Sequence, residues 1–383
     1  MDFAWNDEQI EIRKRIIDFA RTELSHDVAE RDQAGEFGRD AWKRCADFGI
    51  QSMSVPAEYN TTGENTDLLT GVLAMEAIGY GYPDNGLAFA LAAQMWTVQL
   101  PIVHYGTEEQ KQRYLPAMCA GTLIGAHAVT EPESGSDHLA LTTTAAKVDG
   151  GYRLTGSKRY ISLAPVADVA LVFATLDPEK GRWGLTAFLV DLPSDGVTVS
   201  EPRNKMGLRT VPMGDLEFED CFVPEANRLG PEGAGASMSG SSLNIERTFI
   251  LANQVGAMER QLEHAIEYAK TRRQFDKPIG KFQSVSNRIA DMRLNLETAQ
   301  LLLYKVAWML DQGDSVTVES ALLKLHLSEA FIATSLDAIR TLGGAGYMAE
   351  NTVERDMRDA VGGVLYAGTS DIQRVVIARM LGL

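Results

Sequence analysis

Two periodicities divide the chain. Ile12, Ile16 and Phe19 recur at spacings of four and three, and Asn6 with Gln9 three positions later has the form of a capping box, so the chain is expected to open on an amphipathic helix. Ala- and Leu-rich segments at 68–78, 87–100 and 108–120 continue the helical character. Pro56, Pro83 and Pro101 are expected to end helices there, by removing a donor and clashing with the preceding turn. Residues 1–120 therefore read as one helical domain. The period then shifts to short β-rich runs at 169–176, 185–192 and 216–223, the last with Leu216 and Phe218 alternating with Glu217 and Glu219. Residues 121–232 read as an all-β middle domain. Beyond Gly240 the helical period returns, most plainly in Ile289, Met292, Leu296, Ala299, Leu303 and Val306, a stripe at 3-4-3-4-3 that predicts a long helix in a bundle over 233–383. The class is α+β, in the order helices, strands, helices.

Charge narrows the partners. With 36 Lys+Arg against 52 Asp+Glu, a formal net charge of −16 offers no general footprint for nucleic acid or an anionic membrane, so an anionic substrate must meet local cations. Cys45, Cys119 and Cys221 are odd in number and widely spaced, which argues against a disulfide framework or a metal site. The opening MDFAWNDEQ lacks the features of a leader and no run reaches about 20 apolar residues, so a cytoplasmic protein is expected. No G-x-G-x-x-G follows a strand, and neither a phosphate-binding P-loop nor H-E-x-x-H occurs. His26, His104, His127, His138, His264 and His326 show no metal spacing and no G-x-S-x-G partner.

Separated segments do carry chemistry in combination. Val129-Thr130-Glu131-Pro132-Glu133-Ser134-Gly135-Ser136-Asp137 resembles the V-T-E-P-x-x-G-S-D loop of the acyl-CoA dehydrogenase family, and Tyr160-Ile161-Ser162 its aromatic-I-[ST] segment. Arg272-Arg273-Gln274-Phe275-Asp276-Lys277-Pro278-Ile279 is similar to the family's R-x-x-F-G-K-P-I, and Leu342-Gly343-Gly344-Ala345-Gly346 to its L-G-G-x-G. The likeness runs through essentially the whole chain and implies the family's fold: an N-terminal helical domain, a β-barrel-like middle domain and a C-terminal four-helix bundle. It also implies FAD, held by Val129, Thr130, Ser136, Tyr160 and Ser162. Hydroxyls and backbone N–H groups suit flavin heteroatoms, and an aromatic face suits the ring. Further FAD contacts are implied for Arg272, Gln274, Phe275, Arg340, Gly343, Gly344, Thr369 and Asp371. In the family the arginine run and the glycine turn reach FAD across a subunit interface, which implies a homotetramer. Asp276 stands where glycine is usual and Arg340 where glutamine is usual, which bears on the adenine side of the cofactor.

The family's reaction needs a base to take the α-proton of an acyl thioester. Many members carry it as glutamate in Y-E-G-T, but here the segment is Tyr366-Ala367-Gly368-Thr369. Another branch places the glutamate on an earlier helix in a segment like L-D-L-E-R, matched here by Leu243-Asn244-Ile245-Glu246-Arg247. The resemblance therefore implies Glu246 as base, with its pKa raised by burial near the flavin. The N–H of Ala367 is left to donate to the thioester carbonyl. Ser136, Tyr366, Gly368 and Arg247 are implied on the substrate side, Arg247 either orienting its helix or neighbouring pantetheine. His127, Met95 and Trp96 are further candidates for the acyl pocket.

Segments 164–168, 280–289 and 367–373 are most similar to the branch that oxidises prolyl groups tethered to carrier proteins. A short- or branched-chain acyl-CoA dehydrogenase stays open as an alternative, as do a flavin monooxygenase and a non-catalytic flavoprotein of the same fold. The implied partners are an acyl thioester on a carrier protein or CoA, and electron-transfer flavoprotein or oxygen as electron acceptor.

Overall fold

The computed structural model describes residues 5–24 and 26–383, so Met1–Ala4 of the opening segment lie outside it. The expected capping box is present. The Asn6 side chain accepts from the Gln9 N–H at 2.8 Å and the Gln9 side chain accepts from the Asn6 N–H at 3.2 Å, opening α1 (Asp7–Thr22). Ile16 and Phe19 bury its apolar face. The helical region continues with α2 (Val28–Ala34), α3 (Arg39–Phe48), α4 (Leu68–Gly81), α5 (Asn85–Gln94), α6 (Leu100–Tyr105) and α7 (Glu108–Cys119). Pro83 acts as expected: Tyr82 before it is extended and closes α4.

Pro101 does not end a helix. A π-helical turn, Met95–Gln99, carries the backbone from α5 into α6, with the Leu100 N–H bonded to the Met95 carbonyl. The wide turn absorbs one extra residue, and Pro101 falls in the first turn of α6, where a missing N–H costs little. Asn85–Tyr105 thereby becomes one 21-residue apolar helix, long enough by length and composition to cross a membrane, contrary to the expectation that no segment is. Within the fold 89% of its apolar window is buried, as in a core helix.

The middle region holds β1 (Gly125–Ala128), β2 (Thr144–Val148), β3 (Gly151–Ser162), β4 (Val169–Thr175), β5 (Leu185–Asp191), β6 (Val197–Val199), β7 (Met213–Pro224) and β8 (Arg228–Leu229). They form one mixed sheet in the order β6-β7-β3-β2-β4-β5-β8, with β1 parallel on β4. Leu216 and Phe218 are buried while Glu217 and Glu219 are exposed, as their alternation requires.

Helices resume with α8 (Gly235–Phe249) and α9 (Ala252–Thr271), followed by a hairpin of β9 (Arg273–Gln274) and β10 (Lys277–Pro278). Then come α10 (Gln283–Asp311), α11 (Thr317–Leu342), α12 (Gly344–Tyr347), α13 (Thr352–Gly363) and α14 (Ser370–Met380). Met292, Leu296, Ala299, Leu303 and Val306 are buried on α10. On α9 and α11, Gln261 donates to Ser335 at 2.9 Å, and Gln254 and Ser328 both lie against Gly363, so the two helices run in the same direction. α10 runs against α11, pairing Thr298 with His326 and Arg288 with Asp337. α4 packs closely on α9: a Cβ on Gly256 would lie 1.9 Å from the Glu76 carbonyl oxygen.

Candidate active site

Glu246 lies in the last turn of α8, half-buried, and its carboxylate makes no hydrogen bond among the described residues. Burial pushes its pKa up to about 7, against the pull of the Arg247 and Lys324 charges. Lys324 is fully buried on α11, and its Nζ donates to the Gly368 carbonyl at 2.6 Å. Lys324, whose charge acts on Glu246, thus also holds the turn that contains Ala367. Ala367 and Gly368 are both left-handed, at φ 54° and 82°. For alanine that conformation costs about 1–2 kcal/mol, and the surroundings hold it. Gln373 Nε2 donates to the carbonyls of Ala367 and Gly368, each at 3.0 Å. The Ala367 N–H has no partner among the described residues.

Around this turn Tyr366 packs on Phe89 with ring centroids 4.7 Å apart, and its hydroxyl accepts from Gln254 Nε2 at 3.0 Å. Thr369 caps α14 by accepting the Ile372 N–H at 3.2 Å. Asp371 is exposed in the first turn of α14 and faces Arg374. Arg247 is buried, reaches back along its own helix to Asn244 Oδ1 at 3.3 Å, and acts on His138, whose pKa is lowered by burial and then by that charge. Met95 and Trp96 are buried in the π turn, and the Trp96 ring lies 4.8 Å from Phe249, on the α8 turn that carries Glu246. His127 belongs to the sheet: its ring meets Phe173 edge-on, its buried Nε2 has no partner among the described residues, and burial followed by the Lys158 charge lowers its pKa to about 4.

A second group forms where β1 leaves the sheet. Lys158 on β3 donates to the Val129 carbonyl at 3.2 Å and to Glu131 at 2.7 Å, and the Arg159 N–H donates to the Thr130 carbonyl at 2.8 Å. Glu131 also accepts from the N–H and hydroxyl of Thr142 and the N–H of Thr143. Burial raises its pKa, but Lys158 and these donors outweigh it and hold the carboxyl down at about 2. The loop is thus tied at its base while the hydroxyls of Thr130, Ser136 and Ser162 make no hydrogen bond among the described residues. Tyr160 sits at a bulge in β3 with φ 59°, is 53% exposed, and has the Arg159 and Arg203 guanidinium groups each 5.2 Å from its ring centre. An outward aromatic face beside unbonded hydroxyls is the donor set FAD requires, so these residues fit the cofactor.

The remaining candidates lie elsewhere. Arg272, Gln274 and Phe275 are exposed on and beside the β9–β10 hairpin, and Gly343 and Gly344 are exposed after α11. Arg340 is exposed and bonded to Asp337 at 3.2 Å. At 1.5 Å per residue, the 20 residues of α9 put roughly 30 Å between Arg272 and Glu246. One chain therefore carries its two groups of candidate residues toward opposite ends of its bundle. The hairpin turn needs positive φ at both central residues, 51° at Phe275 and 64° at Asp276, and aspartate is among the residues that tolerate this.

Sequence reasoning passed over Lys324, Gln373 and Gln254. For the lysine a signal existed: Ser320, Lys324, Leu327 and Phe331 are spaced 4-3-4 on one buried face of α11, and a lysine in a core stripe is rare without a partner.

The chain matches three family models: acyl-CoA dehydrogenase N-terminal domain at 6–122, middle domain at 126–221 and C-terminal domain at 233–382. It is 43% identical to an L-prolyl-[peptidyl-carrier protein] dehydrogenase of Pseudomonas fluorescens, over the full length of both chains. Among solved structures, the prolyl acyl carrier protein oxidase AnaB matches at TM-score 0.97 and 45% identity, covering 99% of this chain and all of that one. PigA with FAD and proline matches at 0.97 and 38% over all of both chains. This chain belongs to the acyl-CoA dehydrogenase family, and with it is an FAD-dependent oxidoreductase acting on CH–CH bonds.

Proposed function

We propose that the protein oxidises the α,β bond of a prolyl group held as a thioester on a carrier protein, with Glu246 as the base. The observation that carries the reading is the half-buried Glu246 carboxylate, without a hydrogen bond among the described residues, under the charge of the lysine that holds the Ala367–Gly368 turn, and brought by burial to a pKa of about 7, where a base works best at neutral pH. The prolyl substrate is supported by the relatives of 43% and 38% identity, both L-prolyl-[peptidyl-carrier protein] dehydrogenases.

Glu246 takes the proton from the α-carbon. FAD, when bound, accepts the hydride that leaves the β-carbon. The Ala367 N–H donates to the thioester oxygen as negative charge gathers there, and the rigid turn presents that donor without reorganisation. Tyr366, Gly368 and Ser136 line the thioester, and Arg247 supports the α8 turn through Asn244. Val129, Thr130, Tyr160, Ser162, Thr369 and Asp371 hold FAD within one chain. Arg272, Gln274, Phe275, Arg340, Gly343 and Gly344 serve the cofactor of a neighbouring subunit in a homotetramer, since they stand too far from Glu246 to serve their own.

Anaerobic flavin bleaching tests the reading. The purified yellow protein is mixed with prolyl carrier protein, butyryl-CoA or isovaleryl-CoA. Bleaching by the prolyl thioester alone is expected; bleaching by the CoA esters alone overturns the substrate in favour of acyl-CoA dehydrogenation. Oxygen uptake during turnover, with and without electron-transfer flavoprotein, identifies the electron acceptor.

A further inference from the structure

We infer that Lys324 is a positioning residue that couples the base to the carbonyl-binding turn, so that one buried cation both acts on Glu246 and holds the conformation of the Ala367–Gly368 turn. The inference rests on the role proposed above for Glu246.

The geometry comes first. A fully buried lysine is costly unless its charge is used. The only hydrogen bond its Nζ makes among the described residues goes to a backbone carbonyl, that of Gly368, at 2.6 Å. Gln373 Nε2 meets the same oxygen and that of Ala367. Peptide groups are planar, so fixing these two carbonyls fixes the planes on both sides of Gly368 and with them the left-handed turn that follows Ala367; the Ala367 N–H belongs to the preceding plane and is held through that turn. A left-handed alanine followed by a left-handed glycine would otherwise relax.

The second half is electrostatic. The charges acting on Glu246 are Arg247 from its own helix and Lys324 from α11; Lys324, whose pKa burial lowers to about 8 and which is therefore a cation below that pH, feels in turn Glu246, Arg247 and Glu329. His138 faces the same Arg247, and burial followed by that charge lowers its pKa. Arg247 is already bonded to Asn244, whereas Lys324 touches the turn itself. As α-proton removal begins, charge shifts from Glu246 toward the thioester oxygen. Lys324 lies beside the first and behind the donor to the second, which lets it stabilise both states.

The test uses the holoenzyme with Lys324→Met, and Lys324→Gln should the methionine variant fail to fold. Rapid anaerobic flavin reduction is followed from pH 5.5 to 9.5 with the thioester that bleaches the wild type, alongside amide exchange at Ser370, whose N–H bonds Val364 across the turn. Losing a nearby cation raises the Glu246 pKa, so the rising limb of the reduction rate is expected to move up by about one pH unit. Ser370 is expected to exchange at least fivefold faster, and the rate at the pH plateau to fall at least tenfold with substrate affinity unchanged. Lys324→Arg is expected to restore the limb. A limb or an exchange rate that stays at the wild-type value overturns the inference. If the wild type bleaches with no thioester, the proposed function fails instead, which this comparison separates from failure of the Lys324 role.

Discussion

Replacing Glu246 by glutamine keeps the size of the side chain and removes its ability to take a proton. General base catalysis contributes about 10²–10⁴-fold, so the rate constant for flavin reduction is expected to fall by that factor, about 2.7–5.4 kcal/mol in the barrier. The pH dependence follows from a pKa of about 7. About a tenth of the side chain is ionised at pH 6 and about nine-tenths at pH 8, so the wild-type rate rises close to tenfold across that interval while the residual rate of Glu246→Gln stays flat. Stability should move the opposite way. The folded pKa is raised above the ordinary 4.5, so the native state binds more protons between pH 4.5 and 7, and stability falls as pH rises through that window. The full shift is worth at most about 3 kcal/mol above pH 7, and glutamine removes it. The variant should therefore unfold no earlier than wild type at pH 8 and still purify yellow. Stopped-flow absorbance with a bleaching thioester, together with thermal unfolding at pH 5 and pH 8, reads both effects. Near-full reduction in Glu246→Gln, or a wild-type rate that is flat from pH 6 to 8, would refute the reasoning.

Lys158→Met leaves the Glu131 carboxylate buried without its cation and is expected to cost about 3–5 kcal/mol, read as a lower urea midpoint, with weakened FAD binding because the Val129–Glu131 loop loses its tie. In the wild type the carboxylate's contribution is present above the ordinary carboxylate range and is lost progressively as pH falls toward about 2, where Glu131 is held, while Lys158, lowered by burial to about 8, sets the upper edge of the window. Tyr160→Ala should change stability by less than about 0.5 kcal/mol, because the ring is largely exposed, yet weaken FAD in a fluorescence titration of the apoprotein by about 0.5–1.5 kcal/mol. Asp276→Gly should leave FAD retention and melting temperature nearly unchanged, since the aspartate already adopts the left-handed turn; a large gain in either would show that the turn is strained.

Elements with a local cause were legible in the sequence. The Asn6–Gln9 capping box and the α10 stripe depend on neighbours within a turn or two, and both appear as read. β3 was not legible as a strand, and only its Tyr160–Ser162 end stood out, as a motif, because irregularities between Leu154 and Gly156 and between Lys158 and Ile161 break the alternation that marks a strand. The π turn Met95–Gln99 that lets Pro101 sit in the first turn of α6 was not legible, because the proline reads as a helix end. Candidate site residues were found where a motif named them, as at Glu246. Lys324 was hidden because its partner is a backbone oxygen 44 positions away.

The apolar helix Asn85–Tyr105 has a consequence for synthesis. Its Trp96 is covered by Phe249, about 150 residues later in the chain. At about 5–20 residues per second, a ribosome needs roughly 8–30 s to make that cover. During this interval a segment with the length and composition of a membrane span stands partly unclothed. A fragment ending before α8 is therefore expected to aggregate when expressed alone.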